Sequence, residues 1–174
     1  MEAGRNRSAV NGVVAGVLAG LLIFTAELLA TVGGGQPASA LFRGAASIAL
    51  GERALEDVRL ATAIGVGTFV HFVISALYGL LYGALMSAAG RDLRRSLPGQ
   101  AVLGGLFGLG VWLVNYQLVA AWRYPWFLGS PQGLQAAIHV LAYGVPLGLV
   151  LAAQERRPAR GATGLAGPIE PWQA

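Results

Sequence analysis

The chain contains no cysteine and no lysine. Without thiols there is no disulfide framework, no Cys-ligated zinc and no iron–sulfur cluster. Charge is scarce as well: 11% of the residues are charged, against about a quarter in ordinary soluble domains. All twelve basic residues are arginines and the formal net charge is +4. They lie in short groups between apolar runs, with no aromatic–basic interleaving, so nucleic acid is not an expected partner and the charge reads as membrane topology. HExxH, GxSxG and P-loop motifs are also missing, and enzymatic activity is not expected.

What is abundant is apolar length. Hydrophobic residues make up 55% of the 174, with a mean hydropathy of +0.61. Runs at 10–32, 60–89, 101–121 and 134–153 each reach the ~20 residues that cross a ~30 Å hydrocarbon layer. Lipid offers the backbone no hydrogen bonds, so these runs must be helices. The expected fold is all-α, a polytopic membrane four-helix bundle over 9–153. A polar lead (1–8) precedes it and a Pro/Gly-rich, mobile tail (154–174) follows.

Arg5, Arg7, Arg91, Arg94, Arg95, Arg156, Arg157 and Arg160 fall on one side of such a bundle. Arg43, Arg53, Arg59 and Arg123 fall on the other. The excess places both termini in the cytoplasm of a multi-pass protein of the inner (plasma) membrane. The first run also resembles a signal peptide ahead of Ala38-Ser39-Ala40, but it exceeds the usual apolar length and contains Glu27. The segment 38–50 is apolar yet too short to cross, which predicts a re-entrant or interfacial helix. Trp122, Tyr124, Trp126 and Phe127 read as an aromatic belt at the opposite interface from the termini.

The chain reads as two parallel halves. Gly16-x3-Gly20, followed seven residues on by Glu27, is echoed by Gly104-x3-Gly108 and Asn115; Tyr78-Gly79-x3-Gly83 is echoed by Tyr143-Gly144-x3-Gly148. Small residues four apart let helix backbones approach. Gly12, Gly16, Gly20, Gly79, Gly83, Gly104, Gly108, Gly144 and Gly148 are therefore the expected packing positions.

Against that background the polar residues stand out. At ~100° per residue, Glu27 falls near the glycine stripe of its helix and points into the bundle. His71, Ser75, Tyr78 and Tyr82 share one face of the second span; Gln135, His139 and Tyr143 share one face of the fourth with Pro146, which should kink that helix. Depths counted at ~1.5 Å per residue bring Glu27, His71, Asn115 and His139 together in the half of the bundle away from the termini. An intramembrane acid is a functional candidate by default, and a structural tie between helices is its plain alternative. No cofactor is expected. Haem b between His71 and His139, or a metal ion held by both with Glu27, are the alternatives, although the two histidines differ by about 6 Å in depth.

The stretches FTAELL, QPASALFR, VHFVISALYGLLYG and RYPWF…AIHVLAYG resemble small bacterial inner-membrane proteins of the YagU-like type. That resemblance implies the membrane-protein class and brings no catalytic or binding residues with it.

Two functional expectations follow. One is a non-enzymatic accessory or scaffold protein that packs through its Gly-x3-Gly faces, as a homo-oligomer or with other membrane subunits. The other is a small transporter or proton-handling protein using Glu27, His71 and His139, or a haem- or metal-binding membrane subunit.

Overall fold

The computed structural model describes residues 2–157, with side chains described from Ser8 onward. The side chains of Arg5 and Arg7, Arg160 and all of the expected tail beyond residue 157 lie outside the described residues.

Six helices and no strand are found among the described residues. They are α1 (Glu2–Gly33), α2 (Ser39–Leu50), α3 (Leu60–Ser87), the short α4 (Arg91–Arg95), α5 (Leu97–Arg123) and α6 (Gln132–Arg156). Four of them, α1, α3, α5 and α6, are long and apolar enough to cross a bilayer, with mean hydropathy between 1.6 and 2.3 over their best windows. Three run further than the sequence runs suggest; α1 begins at Glu2, so most of the expected polar lead is helical. α5 starts at Leu97 because Ser96 caps it, its hydroxyl accepting from Gly99 N–H at 3.1 Å, and because Pro98 is tolerated in a first turn. α6 continues to Arg156, so 154–156 belong to the helix and not to the tail.

The bundle is built from two antiparallel pairs, α1 with α3 and α5 with α6. In each pair glycine meets glycine. A Cβ on Gly12 would fall on the carbonyl oxygen of Gly79, and one on Gly16 would fall on that of Ser75. Likewise a Cβ on Gly104 would fall on the carbonyl of Gly144, and one on Gly108 on that of His139. Gly83 and Gly148 close the two rows against the carbonyls of Ser8 and Gln100. Backbones this close gain dispersion contact, the main attraction available between helices in lipid.

These contacts set the register of the repeat. Gly12 and Gly16 stand where Gly104 and Gly108 stand, one turn earlier than the spacing-based match to Gly16 and Gly20. Glu27 and Asn115 are therefore not counterparts. A shared seven-residue step to a polar residue misled the comparison, because it records sequence distance and not the level at which two backbones touch.

The pairs join across a core of Ala15, Ala19, Ile23, Tyr82, Val111, Ile138, Tyr143, Leu147 and Leu151. The outer faces are apolar and exposed, as at Leu29, Phe69, Val102, Leu118 and Leu141, which suits contact with acyl chains.

Both chain-terminal ends of α1 and α6 and the link α4 lie at one end of the bundle, here the terminal end. The opposite, distal end is capped by α2 and by a 3-10 turn at Pro125–Gly129. α2 packs along α3, with the Phe42 carbonyl against Gly67. That contact is seven residues into α3, about 10 Å from its start, so α2 dips beside the span. A second small core of Ala46, Ala54 and Ala63 joins them. Arg43 fastens the following loop by donating to the carbonyls of Ala54 (3.0 Å), Glu56 (3.3 Å) and Val58 (3.0 Å).

Candidate functional site

Two of the spans are locally widened, at different heights: the α6 stretch lies level with Gly104 and Gly108 of α5, and the α5 stretch lies beyond them toward the distal end. α5 takes π geometry over Leu113–Ala120 and α6 over His139–Gly144. Pro146 accounts for the second: lacking an N–H, it cannot bond the carbonyl four residues back, and the turn before it opens. The sequence of α5 contains no proline in its widened stretch. Such insertions recur at functional sites, and both of these carry polar side chains.

Glu27 lies level with the widened stretch of α5, next to Gln135. Its Oε2 accepts from Gln135 Nε2 at 3.1 Å, while its Oε1 is buried with no hydrogen-bond partner among the described residues. Gln135 is almost fully buried, and its Oε1 accepts from the hydroxyl of Tyr116 at 2.9 Å. The His139 Nδ1–H donates to the backbone carbonyl of Gln135 at 2.8 Å, which leaves Nε2 as the unprotonated nitrogen of the neutral ring. The Tyr116 ring packs edge-on against His139, centroids 5.5 Å apart. Glu27, Gln135 and Tyr116 thus form one hydrogen-bonded side-chain chain drawn from α1, α6 and α5, and His139 flanks it through the Gln135 backbone carbonyl and the Tyr116 ring. No ion pair to Glu27 exists among the described residues.

Of the four residues expected to converge, Glu27 enters this chain, His139 flanks it and two go elsewhere. Asn115 accepts from the Tyr78 hydroxyl at 2.6 Å, a tie between α3 and α5. The His71 Nε2–H donates to the carbonyl of Gly20 at 2.8 Å, and the ring sits among Phe24 and Phe72. Gly20 is seven residues, about 10 Å, along α1 from Glu27, so His71 belongs to a deeper level. With that nitrogen engaged, His71 would have to give up a buried hydrogen bond to ligate haem through Nε2. No group of three or more His, Asp or Glu side chains is placed to hold a metal ion among the described residues.

The supporting residues bridge the two pairs. Tyr143 donates to the Ser75 carbonyl at 2.7 Å, and Tyr82 donates to Gln100 Oε1 at 2.7 Å. Gln100 is completely buried, with Nε2 donating to Met86 Sδ and to the Leu93 carbonyl, both at 3.3 Å. Reasoning from sequence missed Gln100 and Tyr116. Gln100 stood just outside the counted apolar run. Tyr116 stood beside Asn115, about 100° round the helix, on a face the glycine stripe does not mark.

The aromatic loop is also more than a belt. Trp122 is 86% exposed and suits a lipid interface. Trp126 instead donates to Ser47 Oγ at 2.9 Å and Tyr124 to the Ile48 carbonyl at 3.1 Å, docking the loop on α2. Phe127 lies edge-on to Tyr116 with centroids 6.2 Å apart. The polar chain is therefore roofed from the distal end.

Fold and site together define a multi-pass helical membrane protein whose bundle holds a carboxyl with no ion-pair partner among the described residues. Comparison with family models, with curated proteins and with solved structures finds no match.

Proposed function

We propose that this protein is a small, non-enzymatic proton-handling protein of the membrane, with Glu27 as the group that takes up and releases the proton. One observation carries the reading: a carboxyl at membrane depth has one oxygen held by a neutral amide and, among the described residues, no partner for the other and no cation beside it. A bare carboxylate is costly in that setting, so the group is stable when it carries a proton or faces a cation. Gln135 and Tyr116 supply the hydrogen-bonded donors and acceptors next to the carboxyl, and the free His139 Nε2 offers a further acceptor beside them. The arginine distribution favours the terminal end as the cytoplasmic one, which would put Glu27 in the outer half of an inner membrane.

The scaffold reading has less to stand on. The glycine rows that motivated it are occupied by the chain's own helices, α1 on α3 and α5 on α6.

The test is proton flux into liposomes carrying the purified protein, followed with an internal pH dye under an imposed potential. The wild-type protein is expected to carry protons, Glu27→Gln to fall to the background of empty liposomes, and Arg53→Gln to behave as wild type. Flux in Glu27→Gln equal to wild type, or wild-type flux no greater than that of empty liposomes, overturns the proposal.

A further inference from the structure

The terminal end holds a cluster of guanidinium groups that the proton-handling reading does not use. α4 lies between the ends of α3 and α5, at the membrane boundary, and carries Arg91, Arg94 and Arg95; the end of α6 adds Arg156, with Arg157 just beyond. The acids among them are Asp92, exposed on α4, and Glu155. Among the described residues, five positive charges therefore face two negative ones.

Several of these arginines are ordered. Arg95 Nε donates to the Glu155 carbonyl at 2.9 Å, and Arg156 Nε donates back to the Arg95 carbonyl at 2.6 Å. This reciprocal clasp pins two like charges side by side through their Nε atoms, and among the described residues their Nη groups have no protein acceptor. Arg94 stands next to them. Its Nη1 donates to the Ser87 carbonyl at 3.4 Å, while its buried Nε has no hydrogen-bond partner and only a loose 3.8 Å approach to Glu155 Oε2. Glu155 carries a single negative charge and cannot neutralise the three, and its Oε1 is also held by Ser8 at 3.0 Å and Asn11 at 3.4 Å.

Guanidinium forks held in place with free donors match phosphate oxygens, and fixing them in advance lowers the ordering cost of binding. Apolar surface adjoins the cluster. Leu85, Leu93 and Leu97 are all exposed around the same link. A free phosphate has no use for such a surface, whereas an acyl chain does.

We infer that the clasp formed by Arg94, Arg95 and Arg156 is a binding site for the phosphodiester headgroup of an anionic phospholipid, whose acyl chains lie over Leu85, Leu93 and Leu97. Bound lipid joins α4 to the end of α6 and so ties the two glycine-packed pairs together at the terminal end.

The experiment is thermal unfolding of the full-length protein in neutral detergent, with added phosphatidylglycerol, phosphatidylcholine or inorganic phosphate. Phosphatidylglycerol is expected to raise the melting temperature in a saturable way, and the other two to leave it unchanged. Arg95→Gln and Arg156→Gln are expected to lose most of the shift. Arg157→Gln, which removes one charge but no observed bond, is expected to keep it, as is Arg53→Gln at the distal end. Should the clasp variants fail to fold, Arg94→Gln, which loses one 3.4 Å bond and the loose approach to Glu155, replaces them and is expected to reduce the shift. Equal shifts with phosphatidylcholine, a shift with inorganic phosphate alone, or an undiminished shift in every clasp variant that folds would each overturn the inference. None of these results depends on proton flux.

Discussion

Tyr78 and Tyr143 each precede a packing glycine, and each sends its hydroxyl out of its own helix pair. Tyr78 crosses from α3 to Asn115 on α5, and Tyr143 crosses from α6 to the Ser75 carbonyl on α3. The Tyr-Gly couple thus does two jobs: glycine closes a pair and tyrosine joins the pairs. Interhelical hydrogen bonds in membranes contribute roughly 0.6–1.7 kcal/mol, so Tyr143→Phe should lower stability by about that much in denaturant titration of the micellar protein. Tyr116→Phe should lose a similar amount and also slow proton flux, because it removes the hydroxyl held by Gln135. A Tyr116→Phe variant with unaltered flux would remove the tyrosine from proton handling and leave it a packing role. At this scale the sequence was only partly legible. Glu27 and His139 could be picked out as polar residues in oily helices, but a helical wheel cannot say which neighbour each one bonds. His71 reads as a deeper member of the cluster with Glu27 and is instead bonded to backbone two turns away.

Among the helices, glycine spacing was the most readable feature, and it marks where backbones touch. Which helix meets which was not readable, since every stripe fits every other; tertiary contact alone assigns α1 to α3 and α5 to α6. The π widenings were half legible: Pro146 announces the one in α6, and nothing comparable announces the one in α5. α2 was foreseen as a short non-crossing helix, and its docking by Trp126 and Tyr124 was hidden because it depends on residues nearly 80 positions away. Two substitutions on α3 separate packing from propensity. Gly79→Ala drives a methyl into the backbone of Gly12 and Gly16 and should destabilise by about 1–3 kcal/mol. Gly65 meets nothing within 4 Å, so Gly65→Ala should be neutral or stabilise by about 0.5–1 kcal/mol through helix propensity. Comparing the two unfolding midpoints checks the glycine rows; equal effects would contradict them.

The whole molecule combines a rigid frame with a sparse polar interior. The glycine rows are internal, the exposed surface of the spans is largely apolar, and among the described residues every charged side chain but Glu27 lies at one of the two ends. Because the chain has no cysteine, its topology can be read by single labels. A thiol placed at Glu56 and one placed at Arg157 should react with an impermeant reagent from opposite sides of a sealed vesicle, and labelling of both from one side would refute the four-span arrangement. The account as a whole turns on the carboxyl of Glu27 exchanging a proton within the bundle. Infrared difference spectroscopy after a pH jump, on the reconstituted protein, observes that group itself. A carboxyl band that is absent in Glu27→Gln and displaced in Gln135→Leu is the predicted result; spectra identical in the wild type and Glu27→Gln would contradict it.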